Sequence, residues 1–489
     1  MTGRYEAVIG VEIHVQLRTA AKMFCPCATD IADAAPNSRT CPVCLGLPGT
    51  LPVINRRAVE LVLATGLAIG AELPAVTRWD RKNYFYPDLP KGYQISQFDL
   101  PLAAQGRLAV TTAAGPIEVG IRRAHLEEDT ARLVHATTAD GRRVSLIDFN
   151  RAGMPLMEVV TEPDLHTAEA ARRYAEELRL LLVTIGASDA AMENGQMRVE
   201  ANVSLRPSGT ETLGTRVEVK NMNSFRSVER AIEHEIGRQA AVLDAGGAVA
   251  QETRGWDDAH GATYLMRSKE DSHDYRYFPE PDLPPLRPDR AWLTSIEATL
   301  PELPAARRTR YQDRLGLSAY DAAVLTAEPL AGALFEGALA ADPGGDAKAL
   351  ANWVTGESLR LLRPDAAAAT LAQPPAIDPG ELARLVRLVT AGSLSGTNAK
   401  QVLEAHAGGG GSVDAIVARL GLRQINDPAA LAVLVDQVLA QHPAAVAEVR
   451  AGKTQAVGFL VGQVMKASRG QANAEAVRAL LEARLAGGD

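Results

Sequence analysis

Four cysteines lie close together in the sequence with the spacing of a metal site. They form a Cys-x-Cys pair, thirteen intervening residues and a Cys-x-x-Cys pair, at Cys25, Cys27, Cys41 and Cys44. Four thiolates from two short loops suit a tetrahedral Zn²⁺, and a site closed by four protein ligands is structural rather than catalytic. Free thiols, a redox pair or an iron–sulfur cluster are the alternatives. The pattern therefore predicts a structural zinc site within residues 25–44.

Charged and polar residues alternate with apolar residues along several short segments of the first half. Alternate residues of a β-strand face the same side of a sheet, so each segment would present one charged face. The residues concerned are Glu12, His14, Glu127, Glu128, Arg198, Glu200 and Lys220. A sheet with one solvated face is the alternative for any single strand. Carboxylates and imidazole suit Mg²⁺ or Mn²⁺ and nearby cations suit phosphate, so neighbouring strands would form a metal–nucleotide site.

The elements that must position these residues change in character along the chain. Up to residue 292 the sequence has an α+β pattern of short strands, with two clear helices, one from Thr167 to Gly186 and one from about Ser224 to Gly246. Beyond the proline-rich residues 279–288, almost every segment has helical periodicity. Glycines at 408–411 mark a break between two all-α regions. We therefore predict domains at residues 1–292, 293–405 and 406–489.

The composition of the 489-residue chain limits the classes of function. With 46% hydrophobic residues and neither an N-terminal leader nor a long apolar run, it is expected to be cytoplasmic, with no membrane partner. A formal net charge of −8 argues against a protein that coats DNA or other nucleic acid non-specifically. Near the C-terminus, the charges between Val449 and Gly470 are all positive: Arg450, Lys453, Lys466 and Arg469. This stretch is either a local contact for nucleic acid or a basic helical face.

Eight longer motifs resemble the B subunit of glutamyl/aspartyl-tRNA amidotransferases, in the same order and over essentially the whole chain. They are VEIHVQL at 11–17, CPVCLGLPG at 41–49, DRKNYFYPD at 80–88, YQISQF at 93–98, HLEED at 125–129, KNMNSF at 220–225, DYRYFPEPD at 274–282 and GFLVGQVMKAS at 458–468. The chain departs from the family at residues 130–132 and at Glu200, where relatives commonly have an aspartate.

The resemblance implies a catalytic cradle domain at residues 1–292, whose sheet is similar to those of glutamine synthetase and guanido kinases, followed by a helical domain and a tRNA-binding tail. It implies an ATP-dependent carbon–nitrogen ligase that uses Mg²⁺. Such an enzyme phosphorylates the side-chain carboxylate of misacylated Glu-tRNA(Gln) or Asp-tRNA(Asn) and amidates it with ammonia. The ammonia comes from an amidase (A) subunit, and a small C subunit completes the heterotrimer.

The resemblance also implies roles for individual residues. It places His14 and Glu127 as direct metal ligands, and the rest of the acidic cluster is Glu12, Glu128 and Glu200. The predicted partners of phosphate or of the substrate carboxylate are Arg81, Lys82, Arg198 and Lys220. The predicted tRNA contacts are Arg450, Lys453, Lys466 and Arg469. Glu158 and Glu193 belong to segments that resemble the pocket wall of the family, but each carboxylate is interpreted as an ordinary surface or structural group. Tyr84, Phe85 and Tyr86 are interpreted as packing residues rather than as a base-stacking platform.

Two other functions compete with the amidotransferase hypothesis. An enzyme of similar fold acting on a free amino acid would not need a basic tail or an all-α second half. A non-catalytic, zinc-containing tRNA-binding scaffold would not need an acidic cluster, because carboxylates repel RNA phosphates unless a metal lies between them. Both Glu-tRNA and Asp-tRNA stay open as substrates, because they differ by one methylene group.

Overall fold

The computed structural model describes residues 4–268, 275–362, 377–425, 427–450, 453, 455–468 and 471–486. It divides into two compact units, Met1–Leu303 and Pro304–Asp489. Each unit has apolar cores of its own. The domain boundaries at residues 292/293 and 405/406 stay predictions.

The first unit is built around a mixed eight-stranded sheet, which confirms the predicted α+β class. The strands of the described residues are β1 (Tyr5–Gln16), β2 (Asp80–Asn83), β3 (Tyr93–Ser96), β4 (Ala103–Thr112), β5 (Gly115–Glu128), β6 (Arg132–Thr137), β7 (Arg143–Asp148), β8 (Pro155–Thr161), β9 (Met197–Pro207), β10 (Val217–Met222), β11 (Glu252–Asp257), β12 (Ala262–Ser268) and β13 (Phe278–Pro279). The large sheet has the order β12-β11-β10-β9-β1-β8-β5-β4, antiparallel except between β10 and β11. Strands β13, β2 and β3 form a smaller sheet, and β6 and β7 form a hairpin.

The helices described in the first unit are α1 (Arg56–Ala68), α2 (Ala168–Thr184), α3 (Phe225–Asp244) and α4 (Arg290–Glu297). The two predicted helices, α2 and α3, are confirmed together with their starts, because the side chains of Thr167 and Ser224 cap them. The expectation of only two clear helices is wrong, because α1 is a further long helix in this region. This helix is buried on most of its surface between Ala58 and Gly66, so its apolar residues show no one-sided periodicity.

The two faces of the large sheet have different surroundings. Along β1, the odd-numbered residues from Ile9 to Val15 are almost fully buried in a core that includes residues of α1, α2 and α3. The even-numbered Glu12 and His14 point to the opposite face and are partly exposed. The helices therefore cover one face of the sheet, and polar side chains occupy the other.

The second unit is helical throughout its described residues, apart from an isolated bridge between Ile425 and Ala472, which confirms the all-α expectation for this region. Its helices are α5 (Pro304–Leu315), α6 (Ala319–Ala327), α7 (Pro329–Ala341), α8 (Ala347–Trp353), α9 (Leu359–Leu362), α10 (Pro379–Thr390), α11 (Gly396–Ala407), α12 (Val413–Leu420), α13 (Pro428–Gln441), α14 (Pro443–Arg450), α15 (Gln455–Ala467) and α16 (Ala474–Ala486), with a π-helical turn at Val354–Ser358. One apolar core lies between Tyr311 and Val417 and another between Leu431 and Leu485. Within the described ranges no single helix is long and apolar enough to span a membrane. Two pairs of consecutive helices have that length and apolarity when both helices of the pair are counted together, but each pair is sharply bent.

Candidate active site

Neighbouring strands bring the charged residues of the large sheet into one row. His14 of β1 lies opposite Glu158 of β8 on one side and opposite Arg198 of β9 on the other. Glu158 in turn lies opposite His125 of β5. The charged strands are therefore neighbours, which is the condition that the sequence left open, and the row crosses four strands.

Three carboxylates surround the imidazole of His14. Its Nε2 atom lies 3.3 Å from Oε2 of Glu158 and 3.8 Å from Oε1 of both Glu12 and Glu127. His125 approaches from the other side, with Nε2 3.4 Å from Oε2 of Glu158 and 3.7 Å from Oε2 of Glu127. Glu158 is therefore shared by two imidazoles at the centre of the cluster.

Burial and mutual charge set the protonation of this cluster. Burial, followed by the negative charge of Glu158, raises the pKa of Glu12 to about 7. Burial would lower the pKa of His14, but the hydrogen bond and charge of Glu158 outweigh it and raise the pKa to about 9. Burial would raise the pKa of Glu158, yet the positive charges of His125 and His14 hold it well below its usual range. Glu158 is therefore ionised at neutral pH in spite of its burial.

Basic side chains border the acidic cluster on the same face. Lys220 places Nζ 2.6 Å from Oε2 of Glu200 and 3.4 Å from Oε1 of Glu218. Arg198 places Nη2 3.2 Å from Oδ1 of the buried Asp129. Each cation thus already has a carboxylate partner, and acidic and basic groups alternate across the face.

This polar face lines an open cavity of about 540 Å³. Lys82 reaches the cavity from β2, and its Nζ lies 5.0 Å from the ring centre of Tyr275. Burial would lower the pKa of Lys82, but the combined charges of the acidic groups around it, led by Glu127, outweigh burial and raise the pKa above its usual value. The predicted site residues that line the cavity are Glu12, His14, Lys82, Glu127, Arg198, Glu200 and Lys220.

The structure does not bring two of the predicted residues, Glu128 and Arg81, to the cavity. Glu128 follows Glu127 in β5 and so faces the other way, where its carboxylate pairs with Lys91. Arg81 precedes Lys82 in β2 and makes two hydrogen bonds to Glu280, of 2.7 and 2.8 Å. Strand alternation separates each of these residues from a neighbour that does line the cavity.

The sequence interpretation missed central members of the cluster. Glu158, interpreted as an ordinary carboxylate, lies at its centre, whereas Glu193 is exposed in a turn. A usable signal existed, because Glu158 is the single charged residue of a mostly apolar strand, and a buried charge requires partners. His125 and Asp129 belong to the motif at residues 125–129, but the sequence interpretation gave them no role. Phe85 and Tyr86, interpreted as packing residues, are exposed.

Comparison with known proteins identifies the family. The model of the GatB/GatE catalytic domain matches residues 7–294, and that of the GatB domain matches residues 333–485. The B subunit of the aspartyl/glutamyl-tRNA(Asn/Gln) amidotransferase of Moorella thermoacetica is 51% identical over 481 residues, which cover 98% of this chain and 100% of that protein. Proteins of the same name from Carboxydothermus hydrogenoformans and Thermomicrobium roseum are 48% and 49% identical, over 99% and 98% of this chain and 99% of each relative. The chain belongs to the B-subunit family of these amidotransferases.

The four cysteines of this B-subunit family member form a compact cluster. The sulfur atoms of Cys25, Cys27, Cys41 and Cys44 all lie within 4.8 Å of one another, and those of Cys41 and Cys44 are 4.0 Å apart. The buried Lys22 donates from Nζ to the sulfur of Cys44 at 3.7 Å. The hydrogen bond with Cys25, together with the charge of Lys22, lowers the pKa of the Cys44 thiol to about 4. Four sulfur donors at this spacing fit a tetrahedral Zn²⁺.

Two of the tRNA contacts predicted for this family member lie near the ends of helices α14 and α15. Arg450 ends α14 and Lys466 lies in the last turn of α15, and both are exposed. The side chain of Lys453 is 68% exposed, with Nζ 3.4 Å from Oε1 of Glu448. Arg469 lies outside the described residues. The three described cations therefore lie at the protein surface.

Proposed function

We propose that this chain is the carboxylate-activating subunit of a tRNA-dependent amidotransferase. In this reaction it uses ATP to phosphorylate the side-chain carboxylate of misacylated Glu-tRNA(Gln) or Asp-tRNA(Asn), and ammonia then gives Gln-tRNA(Gln) or Asn-tRNA(Asn). The observation that carries the proposal is the cluster of Glu12, His14, Glu127 and Glu158 in one cavity with basic side chains. Relatives that match over almost their whole length carry the name of this amidotransferase.

Activation is needed because a carboxylate does not react with ammonia at neutral pH, since oxide would have to leave. In the first step, a carboxylate oxygen attacks the γ-phosphorus of ATP and the bond to ADP breaks. In the second step, ammonia attacks the acyl carbon, the carbon–oxygen bond to phosphate breaks, and the nitrogen loses a proton. Both steps depend on positioning and charge neutralisation rather than on a side-chain nucleophile.

The acidic cluster has a donor set that fits a divalent cation. Ligand atoms of Glu12, His14 and Glu158 form one group within 4.8 Å, and those of His125, Glu127 and Glu158 form another. Carboxylate oxygens combined with imidazole suit Mg²⁺ or Mn²⁺. Such a cation, when bound, neutralises negative charge on the phosphates of ATP. In the proposal His14 and Glu127 would hold the cation, Glu12 and Glu158 would complete the cluster around it, and His125 lies 3.4 Å from Glu158 on the other side.

The basic side chains of the cavity would hold the anionic groups of the substrates. Lys82, Arg198 and Lys220 line the cavity together with the acidic cluster. In the proposal they bind phosphate oxygens or the substrate carboxylate. Glu200 then keeps Lys220 in place from the neighbouring strand, since its carboxylate lies 2.6 Å from the ammonium.

The relatives are named as one lettered subunit of an amidotransferase, which supports a complex of several subunits. We propose that a partner amidase (A) subunit supplies the ammonia, that a small C subunit completes a heterotrimer, and that the complex acts in the cytoplasm. Arg450, Lys453, Lys466 and Arg469 would contact the tRNA. The four cysteines would hold a structural Zn²⁺. The expected likeness of the large sheet to glutamine synthetase and guanido kinases is part of the same proposal.

A non-catalytic, zinc-containing tRNA scaffold is the weaker alternative. Glu127 and Glu158 are only 2% and 5% exposed. Burying charged groups destabilises the fold, and a scaffold that only binds tRNA does not require it. A surface that only binds RNA would carry exposed cations instead. The buried carboxylates therefore favour catalysis.

The test is amide formation by the chain co-expressed with its candidate amidase and small subunits. Glu-tRNA(Gln) and Asp-tRNA(Asn) are supplied separately with ATP, Mg²⁺ and ammonium as the nitrogen donor. We expect wild type to consume ATP and to form the amide on at least one substrate, and His14→Ala to form none while binding tRNA as before. His260→Ala, which alters an exposed histidine outside the cavity, is the matched control. A complex that binds tRNA but activates neither carboxylate would show that the chain is a scaffold.

A further inference from the structure

The end of strand β5 has a sheet neighbour on one side only. Strand β4 pairs with β5 as far as Ala103 opposite Ala124. Strand β8 continues on the other side as far as Pro155 opposite Glu128. The last four residues of β5, which include Glu127, therefore have a free edge on the β4 side, and buried backbone groups there need other partners.

A four-residue segment, Gln94–Gln97, lies against this free edge. The side-chain Nε2 of Gln94 donates to the carbonyl oxygen of Glu128 at 2.7 Å, and the backbone N–H of Ile95 donates to Oε1 of Glu128 at 3.0 Å. The side-chain oxygen of Gln97 accepts the N–H of Leu126 at 3.0 Å. These contacts fix the backbone of β5 at the point where it delivers the catalytic-site carboxylate. We refer to Gln94–Gln97 as the clamp.

Ser96 makes the one contact of the clamp that reaches a cavity side chain rather than the edge of β5. Its hydroxyl donates to Oε2 of Glu127 at 3.0 Å, and both residues are 2% exposed. The same oxygen lies 3.7 Å from Nε2 of His125. The other oxygen, Oε1, is the one that lies 3.8 Å from Nε2 of His14. Ser96 and His125 thus occupy one oxygen of Glu127 and direct the other towards His14.

Glu128 supports this arrangement from the opposite face of β5. Its carboxylate accepts the N–H of Ile95 and pairs with Lys91. Lys91 also packs against the loop that carries the last cysteine pair, because a Cβ atom added to Gly46 would lie 2.4 Å from its Cγ. The cysteine loop, Lys91, Glu128 and the clamp are therefore in continuous contact.

We propose that the clamp sets the orientation of the Glu127 carboxylate and that Ser96 is a positioning residue for the cation site. The inference rests on the proposed function, in which Glu127 is a cation ligand. A buried hydrogen bond from Ser96 fixes the rotation of the carboxylate, and it leaves the oxygen nearer His14 for the cation. Groups that orient metal ligands in this way have a large effect on metal affinity.

The test measures Mn²⁺ binding to the full chain by electron paramagnetic resonance, with no tRNA or ATP present. Ser96→Ala is expected to weaken Mn²⁺ binding by roughly 10- to 100-fold. Ser204→Ala, which removes a buried hydroxyl of the large sheet whose hydrogen bond goes to the backbone carbonyl of Val8, is the matched control and should bind as wild type does. Thermal unfolding of each variant reports whether the fold is kept.

A double-variant cycle separates positioning from a purely structural role. If Ser96 acts through Glu127, adding Ser96→Ala to Glu127→Gln should change Mn²⁺ affinity by less than about threefold, because the carboxylate to be oriented is already gone. Equal affinity of wild type and Ser96→Ala, or losses that multiply in the double variant, would overturn the proposal. If wild type binds no Mn²⁺, the cation site of the proposed function is rejected. The role of the clamp is then tested by measuring kcat of amide formation for the same single and double variants.

Discussion

The predicted functional charges of the two units differ in their exposure to solvent. In the first, Glu127 and Glu158 are buried among imidazoles and hydroxyls that fix their orientation. In the second, the described tail cations lie at the surface, and the side chain of Lys453 is 68% exposed. Buried charge costs free energy and is worth keeping where geometry decides the outcome, whereas exposed charge costs little and acts through a screened field. In the proposed function, the chemistry takes place at the sheet and the tail binds the tRNA.

Removing charge from the centre of the buried cluster should have the largest effect. Glu158→Gln keeps the shape but removes the carboxylate shared by His14 and His125. We expect kcat for ammonium-driven amide formation to fall by roughly 10³-fold, with tRNA affinity unchanged. The matched control is Glu193→Gln, an exposed carboxylate in a turn. Equal rates for the two variants would remove the distinction between buried and exposed carboxylates.

The cysteine cluster should contribute stability rather than chemistry. Cys44→Ser is expected to lose the bound zinc and to lower the free energy of unfolding by about 3 kcal/mol, because a closed four-ligand site stabilises the loops it joins. The metal content and the thermal unfolding midpoint of each protein are both measured, and chelator-treated wild type serves as the reference. A variant that keeps its unfolding midpoint but loses all amide formation would contradict a structural role.

A smaller effect should come from the contact between the cysteine loop and Lys91. Gly46 has a φ of +65°, and an added Cβ would lie 2.4 Å from Cγ of Lys91. Gly49 has a φ of +85° with no atom near its Cβ position, so Gly49→Ala reports backbone strain alone. Gly46→Ala should lower the free energy of unfolding by about 2 kcal/mol more than Gly49→Ala. Equal losses in chemical unfolding would show that the contact contributes nothing.

The smallest effect is expected for a single surface cation of the tail. Lys466→Glu should weaken tRNA binding by roughly fivefold and reduce the salt dependence of binding by about one phosphate contact, with tRNA-independent ATP hydrolysis intact. Binding is measured over a series of salt concentrations. Arg478→Glu makes the same charge change on α16. Unchanged affinity for Lys466→Glu would contradict the tRNA contact, and equal losses would indicate a general field rather than a local site.

Local signals in the sequence predicted local structure well. The helix starts at Thr167 and near Ser224 and the alternation around His14 need only neighbouring residues, and the structure contains each of them. Helix α1 was missed because burial on most sides removes the periodicity that marks a surface helix. Its existence depends on what packs around it.

Site residues that depend on long-range pairing were harder to predict. The role of Glu158 arises from the register of β8 with β1 and β5, which no short motif encodes. Arg81 pairs with Glu280, far away in sequence. Strand alternation could have separated Glu127 from Glu128 and Arg81 from Lys82, because adjacent residues of a strand cannot both face one cavity. The sequence therefore indicated the kind of site but not its full membership.

The central claim, transfer of a phosphoryl group to a side-chain carboxylate, can be tested with an oxygen label. Glu-tRNA(Gln) or Asp-tRNA(Asn) carrying ¹⁸O at both oxygens of the side-chain carboxylate is incubated with the complex, ATP, Mg²⁺ and ammonium, and the released phosphate is analysed by mass. Phosphorylation predicts that each phosphate formed with an amide carries one ¹⁸O atom, because the carboxylate oxygen leaves with it. Amide formation accompanied by unlabelled phosphate, or by label in AMP, would contradict the account.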